Sequence, residues 1–232
     1  MRNFLSLTAA LLLSACASTP PPPPEWQSQA FAALTSYTAA YLSGNTRVAD
    51  VEFERAKTEI ARTGRPDLMA RIELVRCAVQ VASLVITPCE GYRNLAQDAA
   101  PVEQTYASFI AGRWAALDAA QLPMHYRALV AQTQAQARLD ANSAPEITTP
   151  SQSKLNQIED PLARLVATGA LFQREPLSTA DINQSVETAS AQGWRRPLLA
   201  WLGVQLKRIQ TAGNADAAAG VQRRIDLVSQ TK

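Results

Sequence analysis

The chain has 232 residues, 47% of them hydrophobic, and a formal net charge of +2. That composition is ordinary for a globular protein with a real core, and the near-zero charge argues against nucleic acid or a polybasic membrane contact as partner. A single histidine and nine scattered glycines leave little for histidine metal sites, phosphate loops or dinucleotide folds.

The chain begins with a basic start, Met1-Arg2, and a short apolar run from Phe4 to Leu13 that ends in Leu13-Ser14-Ala15-Cys16. The run is too short for a spanning helix and reads as a secretory signal peptide over residues 1–15. Ala15-Cys16-Ala17 also fits an ordinary small-x-small cleavage site, which would release a soluble periplasmic protein. The run resembles the lipobox of bacterial lipoproteins, which implies that Cys16 carries the lipid and becomes the first mature residue. In that family three acyl chains are attached, and an Asp after the Cys retains the protein in the inner membrane. Ala17 in that place implies the outer membrane, with the body facing the periplasm. More than one chain makes such anchoring stable.

Residues 16–25 form the tether. Pro20 to Pro24 are five consecutive prolines, a polyproline helix about 15 Å long that reads as a stiff stalk or as a ligand for a partner domain. The remaining body of roughly 200 residues fits one large or two small domains.

Taken in order, the body reads as helices. Trp26 to Leu42 places Phe31, Leu34, Tyr37, Thr38 and Tyr41 at helical spacing and stops at Ser43-Gly44-Asn45; Thr46 to Thr63 follows, with Val48, Val51, Phe53 and Ile60, closed by Gly64. A third helix starts at Asp67. Leu68, Ile72, Val75, Val79 and Ala82 form one stripe and Leu74, Ala78 and Val81 another, which predicts the most buried helix of this half.

Cys77 and Cys89 remain once Cys16 is lipidated, an even pair in an oxidising compartment, and are expected to be bonded. Twelve positions apart, they would be about 18 Å apart on one helix, whereas a disulfide needs Cα atoms within about 7 Å. The helix must therefore stop near Ser83 or Leu84, with Val85-Ile86-Thr87-Pro88 running back extended. A catalytic or metal-binding pair is the alternative, but the spacing is neither C-x-x-C nor part of a Cys/His cluster.

Pro101 opens the next helix, for which Val102, Tyr106, Phe109, Ile110 and Leu117 supply the period and Trp114 a core residue. Leu122-Pro123 breaks it, and a segment to Ala141 starts apolar at Tyr126, Leu129 and Val130 before turning polar. Residues 142–159, rich in Pro, Ser and Thr, read as a linker between an N-terminal lobe (26–141) and a C-terminal lobe (160–232), or as a long surface loop.

Asp160-Pro161 caps the next helix, with Leu162, Leu165, Val166, Gly169 and Phe172 on one face. Ser178-Thr179-Ala180-Asp181 has the form of a capping box before Ile182, Val186 and Ala189, closed by Gly193. Pro197 opens a helix with Leu198, Trp201, Leu202, Leu206 and Ile209, closed by Gly213, and a last helix runs from Ala215 to Gln230.

Ile60 to Asp67 is echoed by Ile209 to Asp216, and Arg71-Ile72-Glu73-Leu74-Val75 by Arg224-Ile225-Asp226-Leu227-Val228. Such an echo resembles the helical hairpins of tetratricopeptide-type solenoids. Ala49 and Phe53 keep the A-x-x-x-F spacing of that repeat; Ala33, Ser36-Tyr37, Ala40 and Ala61 depart from it. The fold expected is all-α: antiparallel helical hairpins forming a TPR-like α-solenoid or an irregular bundle.

No catalytic residues are assigned, and no cofactor or metal. His125, beside Met124 and Tyr126, reads as structural or exposed. Glu52, Glu54 and Glu59, interleaved with Arg55, Lys57 and Arg62, read as a solvated ion-paired face. Trp194, Arg195, Arg196 and Trp201 are the candidate interaction residues, since Trp and Arg are enriched at binding hot spots; they also fit a core Trp201, a turn covered by Trp194, and arginines capping carbonyls. The function expected is a non-catalytic adaptor or assembly factor of an envelope complex, with a membrane contact through the lipid and an envelope protein as partner. A carboxylate-based peptidoglycan enzyme or a small-ligand binder are the alternatives, the last requiring an apolar pocket between helices.

Overall fold

A computed structural model describes residues 22–142 and 154–230; Cys16 and the signal and lipobox residues lie outside that range. Among the described residues there are helices and turns and no strand. Pro24, at φ −52° and ψ 147°, leads into the first helix from an extended, polyproline-like conformation.

Helices α1 (Glu25–Ser43) and α2 (Thr46–Ala61) form a hairpin joined by Gly44 and Asn45. Their interface is lined by small residues: Ala33, Ala49 and Ala56 have no exposed surface, and Tyr37, Phe53 and Ile60 fill the remaining space. This corrects the expected face. Phe31, Val48 and Val51 point outward, because the close helix approach is made by alanines instead.

Helix α3 (Pro66–Ala82) is buried on both sides, as its double stripe predicts. Ile72 and Val79 join the α1–α2 cluster, while Leu74, Cys77, Ala78 and Val81 join the larger cluster formed with the rest of the chain. It ends with Leu84 in the left-handed conformation at φ 56°. The Leu84 amide bonds the Val81 carbonyl and the Val85 amide bonds Gln80, the hydrogen-bond pair that closes a helix when the residue past its cap turns left-handed. The chain then runs back without helix to Cys89, whose Cα lies 5.9 Å from that of Cys77, with the sulfurs at bonding distance.

A short turn, α4 (Glu90–Arg93), leads to α5 (Pro101–Ile110). Here the sequence reading is corrected: α5 stops at Ile110, and neither Trp114 nor Leu117 is helical. Gly112 takes φ 69° and turns the chain. Trp114 is fully buried all the same, its indole N–H donating to the Phe109 carbonyl at 2.8 Å. A 3-10 turn at Ala119–Gln121 precedes α6 (Met124–Asn142).

Of the expected linker, residues 143–153 lie outside the described range; Lys154–Gln157 form a 3-10 turn, and Leu155 and Ile158 are buried. Helices α7 (Pro161–Phe172), α8 (Thr179–Ala191), α9 (Arg195–Thr211) and α10 (Ala215–Gln230) complete the body. Both predicted caps form. Asp160 accepts from the Ala163 amide, and the Ser178 hydroxyl accepts from the Asp181 amide while donating to its carboxylate. The buried residues do not divide at 142–159: one cluster takes side chains from α3, α5, α6, α7, α8 and α9, and Leu162 and Trp194 touch both clusters. Helices α3 and α7 cross at Gly169, where a Cβ would collide with the Val81 carbonyl.

The internal echo marks a shared turn. Gly64 and Gly213 both have positive φ and stand one residue before the cap of the next helix, at Arg65 and Asn214.

Candidate functional site

One stripe from each of several helices faces a common groove. Helix α3 contributes Arg71, Leu74, Val75, Ala78 and Val79, the i, i+3, i+4 pattern of a single face. Val102, Glu103 and Tyr106 of α5 stand opposite. Leu122 and Pro123 come from the segment just before α6, His125 and Tyr126 from its first turn, and Leu162, Ala163 and Val166 from α7. The groove encloses about 630 Å³, within the range of small-molecule sites. Ala78 and Ala163, where larger side chains would have filled the gap, leave it open.

Its polar groups are few. Arg71 binds Glu103 through two nitrogens, Nε at 2.8 Å and Nη2 at 2.6 Å from the same oxygen, so its charge is matched. The other oxygen of Glu103 is buried without a hydrogen-bond partner. Tyr106 and Tyr126 share a hydrogen bond; burial pushes the Tyr106 phenol up to about 12 and raises that of Tyr126 well above the usual tyrosine range. Both stay neutral in ordinary solution. The His125 ring stands edge-on to Tyr126 at 4.0 Å. Burial holds its imidazole below the usual range, and the carboxylate of Asp160 pulls it back up.

The candidate interaction residues are turned largely to internal tasks. Trp201 is fully buried, its indole donating to the Ala82 carbonyl at the end of α3; it offers no surface. Trp194 caps α9 and packs against both core clusters. Arg195 donates to the carbonyls of Val228 and Ser229 at the end of α10. Arg196 reaches the α1–α2 turn, donating to the Tyr41 carbonyl at 2.8 Å and the Thr46 hydroxyl at 2.7 Å with its guanidinium 4.2 Å over the Tyr41 ring. These are cations at helix C-termini, where orphan carbonyls need donors.

Glu52, Glu54 and Glu59 pair with Arg55, Lys57 and Arg62, the ion-paired face expected. Among the described residues no group of three or more His, Cys, Asp or Glu could hold a metal ion, and no helix is long and apolar enough to cross a membrane. The groove itself was missed in the sequence. Its walls come from segments between Thr38 and Val166, and only the unusual placement of Ala78 and Ala163 on otherwise large-residue stripes hints at space. No protein-family model matches the chain, and neither a curated protein nor a solved structure matches it.

Proposed function

We propose that this chain is an outer-membrane lipoprotein, anchored through acyl chains on Cys16 and facing the periplasm, whose helical body binds a ligand and catalyses nothing. The observation that carries the binding reading is the 630 Å³ apolar groove. It is the pocket between helices that a ligand binder requires, with a few polar groups among its apolar lining. The polyproline stalk supports the anchoring part of the proposal, since it would hold the groove off the membrane.

The test has two arms. Cys16→Ser should move the protein from the membrane to the soluble fraction with its helical circular dichroism unchanged; a protein that stays with the membrane overturns the anchor. The soluble variant should take up one equivalent of an uncharged apolar fluorophore such as N-phenyl-1-naphthylamine, saturably; no saturable uptake overturns the binding reading.

The adaptor reading keeps one observation of its own. Phe31 and Val51, on the outer face of the α1–α2 hairpin, are 73% and 63% exposed. Crosslinking in intact envelopes that returns a protein partner through α1 or α2 supports this reading; crosslinks only within the chain count against it.

A further inference from the structure

We infer that a second hollow, sharing no lining residue with the groove, takes a small organic anion: an apolar body carrying one carboxylate, sulfonate or phosphate group. It lies among the end of α3, the non-helical segment that follows it, α4 and the end of α5. The site is additional to the groove and does not depend on it.

Part of the lining is fixed at both ends. Leu84 turns the chain back after α3, with the Val85 amide on the Gln80 carbonyl, and the disulfide to Cys77 holds Cys89. Between these points Ile86, Thr87 and Pro88 line a hollow of about 380 Å³, together with Ala107 and Ile110 of α5. That volume falls in the lower part of the range of small-molecule sites. Ile86, at 43%, and Pro88 are exposed, so an occupant resting on them removes apolar surface from water. A segment already held in place loses little freedom when the occupant arrives.

The charges select the occupant. Arg93 and Arg113 line the hollow, and no carboxylate does. Arg113 is exposed and has no ion pair among the described residues. Its backbone is fixed: Gly112 turns the chain at φ 69°, the Arg113 amide donates to the Ser108 carbonyl at 3.0 Å, and Arg174 holds the Gly112 carbonyl. Arg93 pairs with Glu90, but those side chains are 63% and 67% exposed, and such a pair is worth little. Glu103, which acts electrostatically on Tyr92 of the lining, is itself paired with Arg71. Arg113 also lines a neighbouring depression with Ser108, Trp114 and Arg174, again without a carboxylate. The planar fork of an arginine bonds a carboxylate or phosphate through two N–H groups at once. A neutral body would gain only the apolar contact; an anion gains that contact and the cation together.

Equilibrium dialysis of the soluble full chain carrying Cys16→Ser, at neutral pH and low ionic strength, against 2-naphthoate, 2-naphthamide and acetate separates body from head. Naphthoate is expected to bind at one equivalent, about tenfold more tightly than naphthamide, the difference that a hydrogen bond to a charged group makes, and far more tightly than acetate. Arg113→Gln should weaken naphthoate about tenfold and leave naphthamide unchanged, whereas Ile86→Ser should weaken both. Both positions are exposed, and circular dichroism and melting temperature check that each variant keeps its fold. Naphthamide binding as tightly as naphthoate overturns the anion assignment, and acetate binding as tightly overturns the apolar body. No saturable naphthoate uptake, or undiminished uptake by either folded variant, overturns the site. Naphthoate that stays bound beside saturating N-phenyl-1-naphthylamine supports a site separate from the groove; naphthoate driven off by the fluorophore overturns it. The groove reading stands on uptake of the fluorophore alone and survives each of these failures.

Discussion

Glu73 shows how one side chain can set a pH dependence for the whole body. It is 4% exposed on α3, with Arg76 Nη2 3.0 Å away, and Gly91 lies so close that a Cβ there would run into the carboxylate. Burial raises its pKa; Arg76 and Lys57 lower it, and Glu54 adds to the rise. A carboxyl raised in the fold stabilises while protonated, below its ordinary value of 4.5, and that contribution is lost as pH rises through the higher folded value. Between about pH 4 and about pH 7 the wild type should therefore lose melting temperature relative to Glu73→Gln, whose amide does not titrate. A wild type that gains on the variant over the same range would reverse the sign. Other single residues are quieter. Arg196 joins α9 to the end of α1 over 155 positions of sequence, a contact no local pattern announces.

At the scale of elements, the crossing of α3 and α7 depends on one missing side chain. Gly169→Ala should cost about 3 kcal/mol in chemical denaturation, the upper end for overpacking a tight contact, because the obstacle is the Val81 backbone and cannot rotate aside. A loss below about 0.5 kcal/mol, the ordinary surface range, would show that the crossing relaxes. Reduction of Cys77–Cys89 should cost about 3 kcal/mol by the loop-entropy relation, measured by denaturation with and without reductant. Elements are also where the sequence was most readable. Asp160, Ser178 and the glycines at 44, 64, 193 and 213 carry local turn chemistry, and each ends or begins a helix where that chemistry requires. The α5 stop was misread because Phe109, Ile110, Trp114 and Leu117 keep helical spacing. Gly112 breaks the backbone between them, and Gln173 and Arg174, just past the end of α7, satisfy the carbonyls of Ile110 and Gly112.

For the molecule as a whole, the all-α class followed from periodicity, whereas the groove did not. A cavity is made of what is absent where several distant stripes meet, and a stripe read alone cannot show that its partner stands a few ångströms away. Burial is also unevenly shared. Helix α3 is packed on two sides, while the buried residue of α10 is Val221. Native-state hydrogen exchange should accordingly find the slowest amides in α3 and faster exchange along α10, since opening costs least where little apolar surface is lost. Equal protection in the two helices would mean that the body opens only as one unit.

The bond from Trp201 to the Ala82 carbonyl has a bearing on the order in which the chain can be assembled. Synthesis runs from the N-terminus, so the Cys77–Cys89 loop is complete more than a hundred residues before the indole that covers the end of α3 exists. The crosslink is local and can close early; the lid over it arrives late. A chain truncated before residue 201 and delivered to an oxidising compartment would thus hold a closed loop beneath an open α3 terminus, a stage at which the incomplete protein is both stapled and sticky.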